Sequence, residues 1–209
     1  MPNIVPFCPI PIYQGSVNFT SEDYQNLSSC EMHRLSTGNG YASKSSYVLN
    51  ESKFHLLREK IYAEVNNFLH EQLRVDDQIN FELQNSWVVK HEKGDWAHRH
   101  CHKHSMISGI LYLNVDENSG SLVFHKDNGW ENIFPKMIEF PYKDFNNLNA
   151  LTWSIKPKVG EIVLFPSHLD HSVTENLSHI TRYCVAFNFF PRGTFGIHKG
   201  KYHVGKLVI

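Results

Sequence analysis

Between Glu51 and Arg74 apolar residues recur at Phe54, Leu57, Ile61, Val65, Phe68, Leu69 and Leu73, mostly three or four positions apart. Such spacing gathers them on one stripe and predicts an amphipathic helix packed on a sheet. The chain before it is polar and irregular, and only Thr20-Ser21-Glu22-Asp23, at capping-box spacing, marks a short helix over Ser21 to Asn26. From Phe81 onward the period shortens to that of strands, with β-branched and aromatic residues in short runs. Strands are predicted over Phe81 to Lys90, His100 to Asn114, Ser121 to His125, Leu151 to Lys156, Ile162 to Phe165 and Arg182 to Phe190. Turn signals at Lys93-Gly94-Asp95, Asp116-Glu117-Asn118-Ser119-Gly120 and Pro157-Lys158-Val159-Gly160 separate several of them. Many short strands after one long helix predict a mainly β fold with a flanking helix (α+β), a sandwich or jelly roll. The long connection Asp127 to Ala150 carries Trp130, Phe134, Phe140, Tyr142 and Phe145, and reads equally as a binding lid or as a structural flap.

A chain of 209 residues suits one domain, here divided into a helical N-terminal support (1–80), a jelly-roll core (81–190) and a C-terminal extension (191–209). The net charge of -1 argues against nucleic acid or an anionic membrane surface as partner. No apolar run approaches the ~18 residues that a membrane span needs. The N-terminus lacks the basic flank and apolar run of a secretory signal. Cys8, Cys30, Cys101 and Cys184 show no Cys-x-x-Cys pattern, which fits free thiols and a cytoplasmic location.

Composition changes the picture at one place. His91, His98, His100, His102 and His104 crowd together just before the apolar run Ile107 to Asn114. Imidazole is the commonest protein ligand for first-row transition metals, and neutral nitrogen donors suit iron, zinc, copper or nickel better than magnesium or calcium. Two histidines at spacing two in an extended chain face the same way, and Cys101 between them faces the other. Downstream, Ile162 to Phe165 leads into a loop bearing His168 and His171, a source for a third ligand. By parity alone His98 and His104 compete with His100 and His102. His91, His125 and His179 read as surface or loop residues. Asp95 and Asp170 lack the spacing of a carboxylate ligand.

Farther on, Arg182 opens a strand in which Cys184, Ala186 and Asn188 share its face. If that face is interior, the guanidinium needs an anionic partner, and a ligand carboxylate gripped by its planar fork is a natural one. Ser108, Ile110 and Tyr112 likewise share one face, and Tyr112 could aim its phenol into the same cavity.

Taken in order, His-x-His, a strand ending Tyr-Leu-Asn, a glycine turn, Pro-x-x-Gly before a Leu-Phe strand, a distal His and then an Arg resemble the 2-oxoglutarate/Fe(II)-dependent oxygenases. The prolyl-hydroxylase-like group is nearest, in particular a subgroup with His-x-His followed by Ser-Gly-x-x-Tyr, matched by His100-Cys101-His102 and Ser108-Gly109-Ile110-Leu111-Tyr112. The resemblance covers Ser86 to Pro191. It implies a double-stranded β-helix (jelly roll, cupin-like), Fe(II) and 2-oxoglutarate as cofactors, and hydroxylation of a small-molecule or peptide substrate with release of succinate and carbon dioxide. It implies His100 and His171 as iron ligands, with Arg182 and Tyr112 on the far carboxylate of 2-oxoglutarate. The family's second ligand is usually an acid. Here His102 stands in its place, either ligating or leaving that position to water. Two other functions compete: a three-histidine zinc hydrolase, which has no need of Arg182 and Tyr112, and a non-enzymatic cupin-like metal or small-ligand binding module.

Overall fold

The computed structural model describes residues 4, 9–35, 40–126, 141–146, 148–195 and, for the backbone, 202–204. The strands are β1 (Tyr13–Ser16), β2 (Met32–Arg34), β3 (Tyr41–Ser43), β4 (Asn80–His91), β5 (Ala97–His100), β6 (Ile107–Asn114), β7 (Leu122–His125), β8 (Thr152–Ile155), β9 (Glu161–Pro166), β10 (His171–Val173), β11 (Arg182–Phe195) and β12 (Tyr202–Val204). Helix α1 spans Ser21–Ser28 and α2 spans His55–Asn66. The predicted long helix is thus a composite: a 3-10 turn over Ser52–Phe54, then α2, then a π turn over Asn67–Gln72. Thr20 caps α1 as expected. Its side chain accepts from the Asp23 amide, and the Asp23 carboxylate accepts from the Thr20 amide.

Two antiparallel sheets face each other. The larger runs β1-β9-β6-β11-β4-β3-β2, with β12 paired to the far end of β11, and the smaller runs β5-β10-β7-β8. Alternation gives β6, β9 and β11 two apolar faces, as a sheet covered on both sides requires. On the inner face Ile110, Tyr112, Val163, Phe165, Cys184 and Ala186 meet Leu122, Phe124, Ile155 and Val173 of the small sheet. On the outer face Leu111, Leu113, Ile162, Leu164, Val185, Phe187 and Phe189 bury Leu57, Ile61 and Val65 of α2. Such a jelly roll backed by helix is the fold class expected from the sequence.

Two local devices set the two faces of the large sheet. Between Asn188 and Phe189 the β4–β11 pairing slips by one residue: Asn188 pairs Asn85, whereas Phe189 pairs Leu83. That bulge turns Leu83 and Phe81 toward the helix side, while Asn85, Trp87 and Val89 face inward. Gly109, opposite Phe187, is the second device. A Cβ there would lie 2.2 Å from the Phe187 ring, so only glycine lets that ring cross the strand.

Several sequence expectations are corrected. The N-terminal stretch is not merely irregular or helical: β1 extends one edge of the large sheet through β9, and β2 and β3 extend the other through β4. These strands of three or four residues borrow their order from the strand beside them, so no periodicity announces them. The single strand expected over His100 to Asn114 is two, β5 in the small sheet and β6 in the large, joined by a crossing at residues 101–106. Cys101 therefore lies in a half-buried loop rather than on a strand face. Within the Asp127 to Ala150 connection, Trp130, Phe134 and Phe140 lie outside the described residues, and Tyr142 and Phe145 are exposed.

Candidate active site

The small sheet brings His100 and His171 together as cross-strand partners, the last residue of β5 opposite the first of β10. Their ring centres lie 4.3 Å apart. His102 sits two residues past the end of β5, where its amide donates to the Ser167 carbonyl at 2.9 Å. Its ring lies 5.4 Å from His100 and 5.1 Å from His171. One ligating atom from each of the three falls within 4.8 Å of the others, and they are the metal-capable group found among the described residues. His98 and His104, equal candidates by parity, are exposed, as is His168.

Each of the three rings has its Nδ1 committed. His100 Nδ1 donates to the His98 carbonyl at 2.8 Å, and His171 Nδ1 donates to the Leu169 carbonyl at 3.0 Å. His102 Nδ1 meets Asn188 Oδ1 at 2.7 Å and Ser108 Oγ at 2.8 Å. Asn188 in turn donates through Nδ2 to Asn85 Oδ1 at 2.8 Å, which turns its oxygen toward His102. Protons held at Nδ1 leave the three Nε2 lone pairs for a metal, the outer arrangement by which ligating histidines are fixed. Burial pushes the His171 pKa down to about 3, helped by neighbouring His100, and burial likewise lowers that of His102. Both rings are neutral at pH 7, as metal binding requires. Among the described residues no carboxylate joins the group. Asp170 is held by Arg99 at 2.7 Å, and Asp95 caps the Glu92 amide at 2.8 Å.

A second feature lies between the same sheets. Arg182 is 1% exposed, and no carboxylate pairs with it among the described residues. Its Nη1 faces His91 Nδ1 at 3.2 Å, while its Nε has no partner. The guanidinium carbon lies 5.4 Å from the ring centre of Tyr112, which is fully buried with an unpartnered hydroxyl. Burial pushes the Tyr112 phenol well up, opposed by the Arg182 charge, so it remains a donor. A buried cation without a counter-charge and a buried hydroxyl without an acceptor are each costly, and one carboxylate would satisfy both. Between Arg182 and Asn188 the inner face of β11 carries only the small side chains of Cys184 and Ala186.

Sequence reasoning gave no role to four members of this region. His91, read as a surface residue, is 1% exposed and is the cross-strand partner of Arg182. Its parity with Trp87 and Val89 carried the signal. Asn85 escaped notice and Asn188, placed on the Arg182 face, was given no role, because a single asparagine in a strand announces nothing. Trp153, 50% exposed on the edge strand β8, completes the cross-strand row His100–His171–Phe124–Trp153. With strands ~4.8 Å apart, its backbone lies roughly 10 Å from that of His171 on the same sheet.

The fold and site define an oxygenase-type jelly roll: three imidazoles at one end and an unpaired arginine at the other. The family model "Putative 2OG-Fe(II) oxygenase" matches residues 85–188, from β4 to Asn188 of β11. Over that half of the chain it is similar to the 2-oxoglutarate/Fe(II)-dependent oxygenases, an oxidoreductase family that uses Fe(II) and 2-oxoglutarate. No curated protein matches it in sequence. Among solved structures it is similar to a 2OG-Fe(II) oxygenase family oxidoreductase from Burkholderia pseudomallei (TM-score 0.57, 10% identity, 81% of this chain and 77% of that one). It is also similar to HygX from Streptomyces hygroscopicus with nickel, 2-oxoglutarate and hygromycin B bound (TM-score 0.58, 13% identity, 86% and 82%). A Pseudomonas putida prolyl-4-hydroxylase is a third (TM-score 0.53, 14% identity, 88% and 94%). At these identities the likeness speaks for the fold.

Proposed function

We propose that His100, His102 and His171 hold the iron, and that Arg182 and Tyr112 hold the far carboxylate of 2-oxoglutarate. The observation that carries this reading is the buried Arg182 guanidinium, without a counter-charge among the described residues and beside an unpartnered Tyr112 hydroxyl, on the sheet face toward the three clustered histidines. Both ends fit their groups: neutral nitrogen donors suit Fe(II), and a planar fork with a phenol suits a carboxylate.

When bound, iron and 2-oxoglutarate supply the oxidising power that, with oxygen, hydroxylates a C–H bond and releases succinate and carbon dioxide. The chain's own work is positional. His98, Leu169 and Asn188 fix the three rings through Nδ1, Arg182 sets the direction of the cosubstrate, and Phe124, Phe165 and Leu169 line a dry interior. His102 ligates in the place of the usual acid, since its Nδ1 is fixed by Asn188 just as the Nδ1 atoms of His100 and His171 are fixed by carbonyls. The substrate, a small molecule or a peptide, approaches from the side of Trp153, the exposed end of the histidine row. Free thiols at Cys30, Cys101 and Cys184 favour a reducing compartment such as the cytoplasm. Among the described residues no helix is long and apolar enough to cross a membrane.

The test is succinate release from 2-oxoglutarate by the iron-loaded protein. Iron-dependent release that disappears in His100→Ala, His171→Ala and Arg182→Ala is expected. Succinate formed at wild-type rate by Arg182→Ala would overturn the residue assignment.

A further inference from the structure

Beside Arg182 stands His91, and its chemistry is unusual for a partner of a buried arginine. The two are cross-strand neighbours at the joined ends of β4 and β11, each 1% exposed. A guanidinium can only donate, so His91 Nδ1, at 3.2 Å from Arg182 Nη1, must present its lone pair. The imidazole is therefore neutral with its proton on Nε2. The backbone around it is tied down, while the ring's Nε2 is buried without a partner. Asn176 Nδ2 bridges the carbonyls of His91 and Ile180 at 3.1 and 3.2 Å, tying the end of β4 to the loop that delivers Arg182. Gly40, at φ +109, faces the other side of the ring, where a Cβ would come within 2.4 Å of His91 Cδ2.

Buried arginines ordinarily sit against carboxylates. An acid at position 91 would neutralise the guanidinium and set a second anion against an incoming carboxylate, a repulsion weakly screened in the interior. A neutral acceptor orients the fork yet leaves its charge uncompensated. Among the described residues the carboxylate acting on Tyr112 is Glu161, which accepts from Gln14 Nε2 at 3.1 Å through one oxygen, has its other oxygen buried without a partner, and makes no ion pair with Arg182. We propose that His91 is a positioning residue for the cosubstrate: its neutral Nδ1 aims the Arg182 guanidinium while keeping it free to bind the carboxylate of a 2-oxo dicarboxylic acid. The inference rests on Arg182 being the cosubstrate anchor. It also accounts for an apparent flaw, since an unpaired buried charge weakens the empty protein in exchange for binding.

The discriminating pair is His91→Asn and His91→Asp, which have the same shape, place an oxygen near the position of Nδ1, and differ in charge. Binding of 2-oxoglutarate to the anaerobic Fe(II) protein would be measured by calorimetry, with iron content and thermal midpoint measured in parallel. His91→Asn should bind within several-fold of wild type. His91→Asp should bind roughly 100-fold more weakly, keep its iron, and melt higher than His91→Asn when cosubstrate is absent. Equal binding by the two variants would overturn the proposal while leaving the Arg182 assignment standing. Absence of binding by wild type would overturn that assignment and this inference with it. Should His91→Asp fail to fold, the ring nitrogens of His91 in wild type, read by 15N NMR of the zinc-loaded protein, decide: a proton on Nε2 alone is expected, and a proton on Nδ1 contradicts the proposal.

Discussion

The two ends of the site are built on opposite principles. At the histidine end every Nδ1 already has an acceptor, supplied by the backbone at His100 and His171 and by Asn188 at His102. At the arginine end Arg182 Nε and the Tyr112 hydroxyl are buried without partners. The first end is complete as protein and presents lone pairs. The second is incomplete as protein, and in the proposed function a ligand completes it. Metal sites need fixed geometry before the ion arrives, and satisfied outer contacts provide it. A carboxylate site instead gains affinity and selectivity from groups whose only good partner is the ligand, because any competitor without the charge leaves them unpaired.

The contrast can be broken by mutation, and the largest effect belongs to the metal end. His100→Ala and His171→Ala each remove one of three donors and should bring iron content of the purified protein close to zero. Full iron occupancy in either would remove that residue from the site. Next comes Arg182→Ala, which should weaken 2-oxoglutarate binding by ~2–5 kcal/mol, with iron content nearly unchanged. Arg182→Met, similar in length but uncharged, should lose the same binding and yet raise the melting temperature of the empty protein, because hydrophobic replacement of a poorly compensated buried charge often stabilises. A lower melting temperature in Arg182→Met would mean that the arginine end is not under the strain described.

Asn188→Ala probes the support of His102 without touching a ligand. Loss of such an outer contact typically costs ~10–100-fold in metal affinity, and that is the expected drop in competition with a chelator. Unchanged affinity would point to water rather than His102 as the third ligand. Tyr112→Phe removes one neutral hydroxyl and keeps the ring, so 2-oxoglutarate should bind about fivefold more weakly, near 1 kcal/mol.

The most gradual effect is on pH. Burial, with the Arg182 charge second, pushes the His91 pKa down to about 3 from its ordinary value near 6.5. Between those values the unfolded chain binds the proton and the folded protein does not. The His91 contribution to stability is therefore fully present above about pH 6.5 and is lost as pH falls toward 3, at no more than ~1.4 kcal/mol per pH unit. Urea unfolding at pH 7, 6 and 5 should show wild type losing more stability than His91→Asn. Parallel losses would show that His91 is not buried as a neutral ring.

The same contrast marks what could be read in advance. Alternation on β6 and β11 grouped Tyr112 with Ser108 and Ile110 and Arg182 with Cys184, Ala186 and Asn188, but both strands are buried on two sides, so the pattern could not say which face is the inner one. His102 reached the site by a different route from the one its parity suggested. It lies beyond β5, in the crossing between sheets, and its position depends on Ser108 nearby and on Ser167 and Asn188 far along the chain, the last 86 residues away. No local pattern encodes such contacts. The edge strands β1 to β3 were missed for a related reason, since strands this short are ordered by their neighbours. His91 was legible and overlooked: extending the β4 alternation by one step past Val89 turns it inward.

The central claim is that one cavity holds both cofactors, with the arginine end serving the cosubstrate alone. Its most direct test is titration of 2-oxoglutarate into the anaerobic Fe(II) protein, following the metal-to-ligand absorption band that appears only when iron and cosubstrate bind together. The account predicts a saturable band in wild type, a band in Arg182→Ala that needs roughly 100-fold more 2-oxoglutarate, and no band in His171→Ala. A wild-type protein that binds iron but shows no band, or an Arg182→Ala protein that titrates like wild type, would contradict it.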